Sequence, residues 1–82
     1  MKKFNYRTRY KRFLEKLKQA RVEAGLTQKE AAKAIGKPQS FISKCESGER
    51  RVDFVELELL AELYGKDLEF FKTEGKDGKR NS

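Results

Sequence analysis

Histidine is absent from this sequence, cysteine occurs once at Cys45 and proline once at Pro38. Without histidine there is no imidazole base and no histidine ligand for haem, and a single cysteine cannot build a zinc site or an internal disulfide. No run of about 18 uncharged apolar residues exists, so no membrane span is expected. The N-terminus is basic but has no apolar stretch of the kind a signal peptide needs, so the expected location is cytoplasmic. At 82 residues the chain makes one small domain. A catalytic cleft would consume much of so small a core, and no nucleophile–base pair is evident, so an enzyme is disfavoured. No metal, cofactor or small-molecule ligand is expected.

What the chain has in abundance is charge, at 40% of its residues and a net +7. The distribution is uneven. Residues 1–51 carry 15 basic and 5 acidic side chains, whereas 52–74 carry 2 basic and 7 acidic. A surface that approaches the closely spaced phosphates of a nucleic acid is therefore expected within the first 51 residues, with the acidic stretch turned away. A merely solvated charged face is the plainer explanation of such a run, so charge alone does not decide for binding.

Apolar spacing is helical rather than alternating, and Gly25, Gly36, Gly48 and Gly65 each follow a helical stretch. A first helix is expected over about Arg9–Ala24, with Phe13, Leu17, Ala20 and Ala24 on one face. Thr27 and Glu30 have the spacing of a capping box, with Leu26 and Ala31 as its staple, opening a second helix whose inner face is Ala31, Ala32 and Ile35. Pro38 suits a helix start, and a third helix follows over Gln39–Ser47 with Ile42 and Cys45 inward. Asp53 and Glu56 repeat the start signal for a fourth helix with the stripe Phe54, Leu57, Leu60, Ala61 and Tyr64; a short fifth helix after Asp67 would bury Leu68 and Phe71. The fold class is all-α, a bundle of about five short helices crossing at steep angles. The chain divides into a basic arm over 1–8, a helical domain over 9–72 and a flexible polar tail over 73–82.

Residues 28–47 carry the most specific pattern. A capped helix, a small residue at Ala32, a turn glycine at Gly36 and an apolar anchor at Ile42 match the helix-turn-helix arrangement. Such anchors hold the outer face of the third helix, Gln39, Ser40, Ser43 and Lys44, in position to enter a major groove about 12 Å wide. Phe41 has two readings, a cover for thymine methyls or packing against the domain, and the second is favoured. The segments LTQKEAAKAIGKPQSFISKCESGERR and DFVELELLAELYG resemble the phage repressor/Cro-type, XRE-like helix-turn-helix regulators, and the likeness spans Phe13 to Phe71. The resemblance implies a lambda-repressor-like DNA-binding domain. It implies base contacts from Gln39, Ser40, Ser43 and Lys44, phosphate contacts from Thr27, Gln28, Lys37, Ser47, Arg50 and Arg51, and a structural ion pair between Arg21 and Glu46. Lys37 and Cys45 depart from the pattern, standing where that family more often has apolar and larger side chains.

Val55, Leu59 and Leu63 form a second apolar stripe on the fourth helix. Two covers are open for it: Phe4, Tyr6 or Tyr10 folded back from the N-terminus, or a second copy of the chain in a homodimer that also uses Phe70. The expected partner is double-stranded DNA and the expected function sequence-specific regulation of transcription by a dimeric repressor. The rival from another class is a protein-interaction adaptor or antitoxin-like module on the same fold.

Overall fold

A computed structural model describes residues 4–74. Four α-helices and a closing 3₁₀ turn follow in order: α1 Tyr6–Glu23, α2 Gln28–Ala34, α3 Gln39–Ser47, α4 Phe54–Tyr64, and the turn Leu68–Phe71. The fifth helical segment is thus a 3₁₀ turn of four residues, too short to wind into an α-helix.

The starts of α1, α2, α4 and the 3₁₀ turn are fixed by side chains that take up an orphan backbone N–H, whereas α3 opens on Pro38 with no side-chain cap. The Glu30 N–H donates to Thr27 Oγ1 at 3.0 Å while the Thr27 N–H donates to Glu30 Oε1 at 2.9 Å. Asp53 and Glu56 reciprocate in the same way at 2.8 and 3.0 Å. Helix α1 begins at Tyr6, earlier than the expected Arg9, because Asn5 Oδ1 accepts from the Thr8 N–H at 2.9 Å. Between α2 and α3 the chain turns through Gly36 at φ +71°, where the Lys37 N–H reaches back to the Ala32 carbonyl at 2.9 Å. That is a Schellman closure, and it needs a residue that tolerates left-handed backbone.

Helix α3 packs on both α2 and α1, and α1 also meets α4 and the 3₁₀ turn. Ala31 and Ala32 are fully buried, so α3 can close tightly on α2. Leu17, Ile42, Cys45 and Leu60 form the sealed centre, bounded by Ala20, Ala61, Tyr64 and Phe71. Burial of a leucine or isoleucine of this kind contributes about 1.5–3 kcal/mol. Two expected core positions are in solvent. Ala24 is exposed because α1 has already reached its C-cap there, and Phe54 is 62% exposed because the first residue of α4 overhangs the bundle.

At the N-terminal end, Phe4, Tyr6, Tyr10 and Phe13 line an open aromatic cleft with Val52, Arg9 and Thr73. Arg9 and Arg12 tie α1 to Thr73, at 2.9 Å each through its hydroxyl and its carbonyl. No helix among the described residues is long and apolar enough to cross a membrane. The remainder of the expected tail, 75–82, lies outside the described residues.

Candidate nucleic-acid interface

Helix α3 is gripped from behind and bare in front. Ile42 and Cys45 point into the core at 1% exposure, and Phe41 is also buried. On the opposite side Gln39, Ser40 and Lys44 are exposed and Ser43 is half-buried. The Ser43 hydroxyl donates to the Ser40 carbonyl at 3.2 Å, a bond within the helix. Among the described residues the side chains of Gln39, Ser40 and Lys44 take no hydrogen-bonding or ionic partner. The four residues expected to read bases therefore lie on one free face.

The brace behind that face is the Arg21–Glu46 pair. Arg21 Nε and Nη2 donate to the two Glu46 oxygens at 2.6 and 3.1 Å, and Nη1 donates to the Leu26 carbonyl at 2.8 Å. The two side chains are only 9% and 7% exposed. The bond to Glu46 raises the Arg21 pKa against the opposing effect of burial. The fork joins α1 to the last turn of α3 and to the chain entering α2, fixing how α3 sits on its neighbours.

Gln28, expected on a phosphate, gives one amide N–H to Glu46 Oε1 at 3.1 Å. It belongs to this brace, with a second N–H still to donate. Thr27 spends its oxygen on the cap described above, which leaves its hydroxyl proton. Ser47 is closed on itself: its hydroxyl donates to the Lys44 carbonyl at 3.1 Å and accepts from the Glu49 N–H at 3.3 Å.

Arg50 and Arg51 are adjacent but differently engaged. Arg50 makes a bidentate bond to Glu56 at 2.8 and 2.7 Å, and its guanidinium lies 4.7 Å from the centre of the Phe41 ring. The bond to Arg50 holds the Glu56 carboxyl below its ordinary range and raises the Arg50 pKa. Lys37 covers the same ring at 5.3 Å. Phe41 is thus clasped between the turn before α3 and the loop after it, which explains its burial. Arg51 instead lies over Tyr10 and Tyr6, at 4.6 and 5.4 Å from their ring centres, with no carboxylate partner among the described residues. Of the expected phosphate ligands, Lys37 and Arg51 keep a free charge at the surface, whereas Arg50 is largely committed to the fold.

Sequence reasoning missed the Arg50–Glu56–Phe41 clasp, because no spacing rule connects residues across a loop. The Tyr6–Tyr10 platform was missed too, because an expected helix start at Arg9 left Tyr6 in the arm.

The second apolar stripe is only partly a stripe. Val55 and Leu59 are 62% and 49% exposed, whereas Leu63 and Phe70 pack against the core. Phe54 joins the exposed pair. Of the two covers left open, the one by the N-terminal tyrosines does not form: Tyr6 and Tyr10 stack on one another and on Arg51, beside Val52. Cys45 is a buried hydrophobe, its thiol pKa pushed up by burial.

Two short helices joined by a glycine turn, the second locked behind and polar in front, define a helix-turn-helix protein. A family model of that description, helix-turn-helix, matches residues 17–71. A solved structure, an XRE-family like protein from Pseudomonas syringae pv. tomato str. DC3000, is similar at 45% identity over 76% of each chain, with a TM-score of 0.72. No curated protein matches the sequence. The chain belongs to the XRE-like helix-turn-helix family and is a DNA-binding regulator of transcription.

Proposed function

We propose that this chain is a cytoplasmic repressor that binds its operator as a homodimer and reads it with α3 in the major groove. The free face of Gln39, Ser40, Ser43 and Lys44 on a helix that cannot roll carries the reading. Gln39 matches the N6 and N7 edge of adenine, and Lys44 suits guanine O6 and N7 or a phosphate. Lys37 and Arg51 flank that face as phosphate contacts, with Thr27, Gln28 and Arg50 offering their remaining N–H and O–H donors and Ser47 at the helix end. Phe54, Val55 and Leu59 supply the dimer contact, with Leu63 and Phe70 at its margin.

A twofold dimer places two recognition helices about 34 Å apart, one turn of DNA. Repression then needs nothing beyond occupancy of the operator. Selection of bound duplexes from a random pool tests the proposal. A motif with two inverted half-sites is the expected result. Binding with no enriched motif rules out operator reading, and no binding at all favours the adaptor role.

A further inference from the structure

Helix α1 carries a row of side chains whose later members brace the helix-turn-helix and whose first two it does not use. Residues spaced by 4, 7, 11 and 14 fall along one face of an α-helix, which aligns Arg7, Lys11, Leu14, Lys18 and Arg21. The later part of the row touches the end of α3. Arg21 holds Glu46, and a Cβ on Gly48 would come within 2.9 Å of Leu14 Cδ1. Further toward the N-terminus, the Val52 N–H donates to the Tyr10 hydroxyl at 3.3 Å, and Tyr6 and Tyr10 carry Arg51. The chain leaving α3 therefore runs antiparallel along α1, and Arg7 and Lys11 lie in the part of the row level with Arg51.

Both cations are exposed, and neither makes an ion pair among the described residues. Glu15, the carboxylate nearest in sequence, and Glu49, in the loop after α3, form no ion pair with them. From Tyr6 to Leu14 the helix has four cations and no acid. Arg7 and Lys11 are one helical turn apart, about 6 Å along the axis. That is close to two phosphate steps along one strand, which rise about 3.4 Å each. Both precede the stretch that the family model matches, 17–71.

We infer that Arg7 and Lys11 form a second phosphate-binding row for duplex DNA, continuous with Arg51, that carries the footprint past the helix-turn-helix along the same backbone. The inference rests on the DNA-binding reading. The row adds affinity without sequence preference, because it meets phosphates and no base edge.

The test is the salt dependence of full-chain binding to a random-sequence duplex, followed by fluorescence anisotropy. Loss of two phosphate contacts lowers the slope of log K against log salt by roughly 1.8 units, and R7A/K11A is expected to show that drop. R7K/K11R, which keeps both charges, is expected to bind with the wild-type slope, separating lost charge from lost fold. K16A/K72A removes two cations from the flank beside Phe70 and the 3₁₀ turn, and is expected to leave the slope in place. An unchanged slope in R7A/K11A, or an equal drop in K16A/K72A, overturns the inference while DNA binding itself stands. A wild-type chain that binds no duplex at any salt overturns both.

Discussion

A glutamine at the first turn of α3 and an arginine in the middle of the bundle illustrate how differently single residues act in this protein. Gln39 is exposed and unpartnered, so Gln39→Ala should leave stability alone and relax preference at one base pair of each half-site, by about 1–3 kcal/mol. Comparison of the motifs selected by the two proteins measures this. Arg21→Ala is expected to act in the opposite manner. It leaves the Glu46 carboxylate buried without its counter-charge, a loss of about 3–5 kcal/mol for a pair this enclosed. Urea unfolding should show an earlier midpoint at an unchanged slope. Tyr64 gives a third, pH-dependent effect. Burial, reinforced by the Glu46 charge, pushes its phenol up to about 12 from an ordinary 10.0. Its neutral form is favoured by folding, so the stability it contributes is complete below about pH 10 and lost as pH rises toward 12. Tyr64→Phe should remove that alkaline decline, seen in thermal melts across the range.

At the scale of elements, the bounds of α3 were legible because both ends carry strong local signals, Pro38 before it and Gly48 after it. The capping boxes of α2 and α4 were legible for the same reason. The start of α1 was not. Asn5 caps it with no acidic residue in the first turn, so nothing in the sequence separated a cap from an arm. The inward face of α4 was ambiguous too, since Phe54, Val55, Leu57, Leu59 and Leu60 spread around much of the helix, and only packing against α1 decides which of them are buried. Of the candidate interface, the outer face of α3 followed from periodicity, whereas the occupations of Gln28 and Arg50 depend on groups brought together by the fold. Two glycines that look alike in sequence also differ in space. A Cβ on Gly36 meets nothing within 4 Å, while one on Gly48 would press on Leu14, and both have positive φ. Gly36→Ala should cost about 1–2 kcal/mol for left-handed backbone alone. Gly48→Ala should cost more, because Leu14 must also move. Denaturation midpoints of the two variants give the order.

For the whole molecule, charge is unevenly divided along the chain. The basic first part of the chain presents α3 and the row on α1, while residues 52–74 are acidic and carry the exposed Phe54, Val55 and Leu59. Under the proposed function, DNA binding and self-association draw on different parts of the chain, so a dimer would form without neutralising the cations offered to phosphates. Leu59→Glu should convert a dimer into the 9.6 kDa monomer and weaken operator binding while sparing the affinity of each monomer for random duplex. Sedimentation equilibrium and anisotropy on the same samples report the two effects. An unchanged mass would place self-association elsewhere.

The sealed thiol of Cys45 provides a built-in clock. It sits at 1% exposure on the inward face of α3, and it is the chain's single sulfhydryl. An alkylating reagent can reach it only during the moments when that helix lifts from its seat. The labelling rate of the unaltered protein therefore counts those excursions directly, and an operator that pins the helix down should slow the count.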